Sequence, residues 1–94
     1  MDVSHFETNL VENMAFMFYK LKYVTSIDIN NFNTSNVEYM HFMFDGCESI
    51  TSLNLSNFNT SRVKSMDNMF SDCTSLTSLD ITNFDTSYVT SMNY

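Results

Sequence analysis

The chain contains almost none of the two residues that most often form turns. Its 94 residues include one glycine and no proline, whereas an average chain of this length has roughly seven and five. Asn, Ser and Thr together occupy 35 positions, and these short polar side chains hydrogen-bond to nearby backbone and favour bends. The composition therefore predicts many short elements separated by polar turns.

Positive charge and long apolar runs are also scarce. The chain has 4 Lys and Arg residues against 11 Asp and Glu residues, for a net charge of -7, and such a field repels phosphate backbones and anionic lipid surfaces. No apolar run approaches the roughly 20 residues that span a bilayer. We therefore expect no nucleic-acid binding and no membrane insertion in this segment. The N-terminal residues show no signal-peptide pattern.

An internal repeat of 26 residues organises the whole chain. Residues 27–52 and 53–78 align without a gap and are identical at 13 of 26 positions. Residues 1–26 keep the same frame more loosely, and residues 79–94 begin a fourth copy. Because a repeat this short cannot bury its apolar face alone, it must pack on its neighbours. We expect a single repeat domain over residues 1–94, as a fragment of a longer array.

Each repeat combines two hydrophobic periodicities. Apolar and polar residues alternate around Leu79 and Ile81, which indicates a short strand with one face inward. Residues 60–73 instead show apolar spacings of three and four, which are typical of one face of a helix. The predicted fold class is α/β, a right-handed solenoid with one short helix and one short parallel strand per repeat. The strands are expected near residues 26–29, 52–55 and 78–81.

The repeat LNLSNFNTSRVKSMDNMFSDCTSLTS has fixed Phe, Val, Met, Met-Phe, Cys and Leu columns. It resembles the BspA-like leucine-rich-repeat family of bacterial surface proteins, in particular its mycoplasma-lipoprotein type with repeats of about 25 or 26 residues. The resemblance covers essentially the whole chain, with departures at Met1 and Leu21. It implies a leucine-rich-repeat-like solenoid at the cell surface or secreted, which serves in adhesion or host-protein binding.

The outward face of the strands is the predicted binding surface. It would present short polar side chains in parallel columns, at Ser26, Asp28, Asn30, Ser52, Asn54, Ser56, Ser78, Asp80 and Thr82. Such a face suits a broad, weak contact with a protein partner of unknown identity, because affinity accumulates over the repeats. A straight acidic and amide column does not converge as calcium ligands must. We therefore predict no metal site and no cofactor.

Catalysis is not expected from the candidate nucleophiles. His41 precedes Cys47 by six residues, which places the two side chains about 600° apart around an ideal helix and not on one face. The histidines are expected to be exposed. Cys47 and Cys73 share a column, so their Cα atoms should lie about 5 Å apart, within disulfide range. Side chains stacked in register point the same way, so two buried thiols are favoured over a bridge.

Three functional hypotheses remain open at this point. The leading one is a non-catalytic protein-interaction module of a bacterial-type cell-surface protein. The second is a self-assembling structural unit that stacks end to end through uncapped repeats. A surface-ordering protein such as an ice binder is less well supported, because the outward columns mix Ser, Asp and Asn instead of repeating Thr.

Overall fold

Two very short strands form the regular secondary structure of the described residues. The computed structural model describes Val3, residues 7–81 and residues 84–85. Strand β1 is Ser52–Leu53 and strand β2 is Ser78–Leu79. They pair in parallel, with each residue opposite its equivalent one repeat later. The repeat frame read from the sequence therefore sets the strand register.

Both strands are shorter than predicted, and the segment 26–29 forms no strand. Side-chain hydrogen bonds limit the length of the extended stretches around residues 28 and 54. The N–H of Asn30 donates to Asp28 Oδ1 at 3.1 Å, and the N–H of Ser56 donates to Asn54 Oδ1 at 3.1 Å. These Asx turns bend the chain two residues after the strand position.

No helix occurs within the described ranges. The prediction of a leucine-rich-repeat-like right-handed solenoid with one short helix per repeat is therefore wrong. The segments read as helices are series of turns at residues 15–20, 41–46 and 67–72. Most of the described chain consists of turns and irregular backbone.

Hydrogen bonding explains why turns replace the predicted helix. In the second repeat, the N–H of Met43 donates to the Met40 carbonyl at 3.2 Å, a bond that spans three residues. The N–H of Phe44 instead leaves its repeat and donates to the Met69 carbonyl at 2.9 Å. Because alternate N–H groups are used between repeats, the bonds that span four residues in a helix cannot form.

Left-handed backbone also excludes a helix in these segments. In the second repeat, Phe42 has a φ of 57° and Gly46 a φ of 78°. Equivalent positive values occur at Phe16, Lys20, Asn68 and Asp72. An α-helix of L-residues has no room for such angles. The sequence favours a left-handed residue at Gly46, and at Asp72 one repeat later, at the end of the segment read as a helix. Both residues are left-handed, but within turns.

A single apolar cluster fills the interior between the strands and the turns. The described residues of the columns predicted as core are buried or half-buried, and the centre of the cluster is the second repeat, where Val37, Met40, Met43, Phe44, Cys47 and Ile50 are each 0% exposed. Aromatic rings continue from repeat to repeat. Phe44 stacks on Phe18 at 5.4 Å and on Phe70 at 5.7 Å between ring centroids. Repetition at a fixed spacing therefore produces a continuous core.

A buried threonine joins each repeat to the next. Thr34 is 1% exposed, and its Oγ1 donates to the Asn59 carbonyl at 2.9 Å while accepting the Asn59 N–H at 2.7 Å. Thr60 makes the same two bonds to Asp85, at 3.0 and 2.7 Å. One hydroxyl thus satisfies a donor and an acceptor of the neighbouring backbone, which offsets the cost of burying it.

Candidate functional site

The predicted binding face on the strands lies at the surface. All of its described members are exposed, namely Ser26, Asp28, Asn30, Ser52, Asn54, Ser56, Ser78 and Asp80. The ninth, Thr82, lies outside the described residues. The structure brings Asn30 and Asn54 together, since Asn54 Nδ2 donates to Asn30 Oδ1 at 3.1 Å.

Much of the polar chemistry of this face is used within the chain. The side-chain oxygens of Asp28 and Asn54 accept the backbone N–H groups that close the Asx turns. Asn57 Nδ2 donates to the carbonyls of Asn30 at 2.7 Å and Phe32 at 2.9 Å. These bonds stabilise the turns, and they reduce the hydrogen-bonding capacity that the face offers to a partner.

A cluster of exposed and half-buried rings lies in and beside the turns of the first two repeats. We call it the aromatic patch and define it as Phe16, Tyr19, Tyr39, His41 and Phe42. Phe16 is at its centre. Its ring stacks on Phe42 at 5.0 Å with an interplanar angle of 7°, and it meets Tyr19 and His41 edge-on at 5.1 and 5.6 Å.

The outer rings of the aromatic patch are accessible to a partner. Phe16 is 47% exposed, and Tyr19 and Tyr39 are each 37% exposed. His41 lies between rings and is half-buried, so the expectation of an exposed histidine is wrong here. The rings contact one another and form a contiguous, largely aromatic surface.

The aromatic patch belongs to the first two repeats alone. In the third repeat, the positions equivalent to Tyr39, His41 and Phe42 are Ser65, Asp67 and Asn68. The core columns stay apolar through the same repeat, with Leu76 in place of Ile50. The patch is therefore a local departure from the repeat, although its Phe16–Phe42 stack also joins the first two repeats.

A groove of about 570 Å³ adjoins the patch at Tyr19. Its walls carry charged side chains of both signs, from Lys20, Lys22, Asp45, Glu48 and Asp72. Lys20 Nζ lies 5.1 Å from the centre of the Tyr19 ring, a cation–π contact. Lys22 pairs with Glu48 at 3.6 Å. Burial and the neighbouring Asp72 raise the pKa of Asp45, while Lys20 opposes the shift.

The two cysteines are free thiols in the described structure. Cys47 Sγ donates to the Phe18 carbonyl at 3.2 Å, and Cys73 Sγ donates to the Phe44 carbonyl at 3.1 Å. Burial raises the pKa of both thiols, that of Cys73 to about 11. The favoured prediction of two thiols is confirmed, although Cys73 is only half-buried.

Neither a metal centre nor a membrane span is found in the part of the chain that the structure describes. There, no group of three His, Cys, Asp or Glu side chains has an arrangement that could hold a metal ion. In the same residues, no helix is long and apolar enough to cross a membrane.

The whole chain, residues 1–94, matches the family described as Mycoplasma protein of unknown function, DUF285. The chain belongs to this family. The family is related to the BspA-like surface repeat proteins, which agrees in part with the resemblance seen in the repeat. Neither a curated protein nor a solved structure matches the chain.

The repeating columns of this DUF285 chain do not predict the aromatic patch, because the patch does not recur in the third repeat. The sequence signal for the patch is a difference between repeats at one column. Phe16 and Phe42 share a column that becomes Asn68 in the third repeat, and Tyr39 shares a column with Asn13 and Ser65. Large rings at positions where other repeats carry short polar residues indicate a surface site and not a core position.

Proposed function

We propose that the chain is a non-catalytic protein-interaction module of a cell-surface or secreted protein, and that it binds its partner through the aromatic patch. The observation that supports this proposal is the contiguous set of rings at Phe16, Tyr19 and Tyr39, each more than a third exposed. Contiguous exposed apolar surface marks interaction sites, and rigid aromatic side chains are enriched among the residues that dominate binding energy.

The strand face predicted from the sequence is the rival surface. Its side chains are short, and several are engaged in turns or in contacts within the chain. It could add weak contacts over a broad area, whereas the aromatic patch concentrates large rings in one place. We therefore assign the main contact to the patch and a secondary contact to the strand face.

A pull-down with matched variants tests this assignment. The immobilised chain is incubated with biotin-labelled surface proteins of host cells, and retained proteins are quantified. The double variant Phe16→Ser/Tyr39→Ser should lose most of the retention. Tyr23→Ser is the control, because Tyr23 is 86% exposed and is outside the patch. Loss of retention by Ser52→Ala/Ser78→Ala instead would transfer the site to the strand face.

The proposed location has its own test. Intact cells that produce the parent protein are treated with a protease that cannot enter them, and the chain is then detected with an antibody. Digestion in intact cells supports display at the surface, and recovery from the medium supports secretion. Protection in intact cells, with digestion only after lysis, contradicts both locations.

End-to-end assembly is the second candidate function. It is favoured by an apolar cavity of about 460 Å³ between the third repeat and the start of the fourth, lined by Met66, Met69, Phe70, Leu79, Ile81, Phe84 and two polar residues, Ser71 and Asp72. In the second repeat, the equivalent surface at Phe44 is 0% exposed and is covered by the Phe70 ring. Another repeat of the same kind would cover the cavity in the same way.

Light scattering over a series of protein and salt concentrations distinguishes the second candidate from the first. The net charge of -7 opposes association, so added salt should promote it by screening. Ile81→Ser, at a cavity position that is 44% exposed, should reduce association, and Leu10→Ser should not. A chain that stays monomeric under all conditions contradicts end-to-end assembly and leaves the binding proposal intact.

A further inference from the structure

We propose that the aromatic patch and its adjoining groove bind a basic segment of the partner protein. Arginine side chains of that segment would stack on the exposed rings and pair with the carboxylates of the groove. This inference rests on the proposed function, since it names the chemical class of the partner at the same surface.

The rings of the aromatic patch favour a partner that contains arginine. Aromatic faces attract cations, and the planar guanidinium group of arginine also stacks on them. Phe16 and Phe42 lie parallel, while Tyr19 stands edge-on to Phe16 at 82°. The patch therefore offers ring faces in two orientations. Lys20 Nζ already lies 5.1 Å from the Tyr19 ring, which shows that a cation fits there.

The negative charge of the chain also favours a basic partner. The chain has a net charge of -7, so its long-range field favours basic partners over acidic ones. In the groove, Lys22 is paired with Glu48, and Lys20 interacts electrostatically with Asp45. The repulsion between Asp45 and Asp72 contributes to the raised pKa of Asp45. An arginine from the partner would relieve that repulsion.

Lys20 makes the inference sharply testable, because it occupies the place that we assign to the partner's cation. Its removal frees the Tyr19 ring and deletes a like charge from the groove. The variant Lys20→Ala should therefore bind a basic partner more tightly. If the partner is neutral, Lys20→Ala should bind it with unchanged affinity, because the lost charge makes no favourable contact with it. If the partner is acidic, the variant should bind it more weakly, because an attractive charge is removed.

The probe is a fluorescein-labelled nonapeptide in which four arginines alternate with glycines, and binding is measured by fluorescence anisotropy at physiological salt. Its matched control carries citrulline at the four positions, which keeps the planar shape and removes the charge. Tyr19→Ser and Asp45→Asn should each weaken binding of the arginine peptide by about two- to fivefold. Lys20→Ala should strengthen it by a similar factor, and Tyr23→Ser should leave it unchanged.

Three results would overturn the inference. They are equal affinity for the arginine and citrulline peptides, weaker binding by Lys20→Ala, and equal affinity of all variants, which would indicate attraction to overall charge alone. Circular dichroism of each variant is the control that checks whether it is folded. If host surface proteins are retained through the patch while the arginine peptide does not bind, the partner class is wrong and the proposed function stands. If retention is also absent, both fail.

Discussion

The two sides of each repeat use polar and apolar residues in opposite ways. On the strand side, at residues 26–30, 52–56 and 78–81, outward side chains are short and polar, and several bond to their own chain. On the turn side, at residues 13–20, 39–46 and 65–72, the backbone bonds to the next repeat and large rings remain exposed in the first two repeats.

This difference shows where a repeat protein can vary without losing its fold. On the turn side the repeats are joined by backbone bonds, such as Met14 N–H to the Tyr39 carbonyl at 2.8 Å and Met40 N–H to the Ser65 carbonyl at 3.0 Å, and by stacked core rings. The outward side chain at one position can therefore differ between repeats, as with Tyr39 in the second repeat and Ser65 at the equivalent position of the third. This variation supports the proposal that recognition uses the outward side chains of the turn side.

The largest effect on stability is expected when a ring of the core on the turn side is removed, and removal of a surface ring there should cost less. Phe44→Ala should destabilise the chain by about 3–5 kcal/mol, because it leaves a cavity at a fully buried position. Phe16→Ala, at a ring that is 47% exposed, should cost about 0.5–1.5 kcal/mol. Urea denaturation of both variants measures the difference. Equal losses would show that the exposed rings belong to the core.

The thiol at the end of the turn side should be unreactive. With a pKa of about 11 in place of the ordinary 9.0, Cys73 should contain about a hundredfold less thiolate at pH 8. Its alkylation by iodoacetamide should be slower than in the urea-unfolded chain by a similar factor, and it should accelerate as the pH rises toward 11. Mass spectrometry resolves Cys73 from Cys47. Identical rates in native and unfolded chains would contradict the raised pKa.

Between the two sides, the buried threonine should contribute through its hydroxyl group and not through its size. Thr34→Val keeps the shape but leaves the Asn59 N–H and carbonyl without their side-chain partner. We expect a loss of about 1–3 kcal/mol in the free energy of unfolding. Thr51→Val is the control, since Thr51 is exposed. A neutral Thr34→Val would mean that the hydroxyl is dispensable for joining repeats.

Backbone conformation on the turn side predicts effects of opposite sign at equivalent positions. Gly46→Ala places a Cβ 3.0 Å from Lys20 Cγ at a φ of +78°, and it should cost about 1–2 kcal/mol. Asp72→Gly relieves a φ of 56° and should give a smaller gain. Thermal unfolding of both variants checks the signs. Destabilisation by Asp72→Gly would show that its side chain outweighs the backbone strain.

The smallest effect is expected on the strand side. Ser52 is exposed in β1 and pairs through the backbone with Ser78. Ser52→Ala should change the free energy of unfolding by less than about 0.5 kcal/mol, as measured by urea denaturation. A loss comparable to that of Thr34→Val would mean that strand-side hydroxyls help to join the repeats.

The hydrophobic pattern of the sequence predicted correctly which side chains point inward, and it predicted the backbone conformation correctly only where one pattern fits one conformation. The alternation that predicted an inward face at Leu79 and Ile81 holds at the equivalent positions of the two preceding repeats, Ile27, Ile29, Leu53 and Leu55, which are buried. Leu79 itself is half-buried and Ile81 is 44% exposed. Spacing of three and four at Met40, Met43 and Phe44 correctly indicated one inward face but suggested the wrong backbone. Successive turns that close over three residues return side chains to the same side as a helix does, so the pattern alone does not distinguish them.

The sequence by itself determined the repeat length, the inward columns, the strand register and the left-handed residues at Gly46 and Asp72. These follow from hydrophobic periodicity and local backbone preference. Only the tertiary structure decided that N–H groups such as that of Phe44 bond to the next repeat. It also decided that Phe16 and Tyr39 meet around His41. Both depend on contacts between residues about one repeat apart, and a local pattern carries no information on such contacts until the chain is folded.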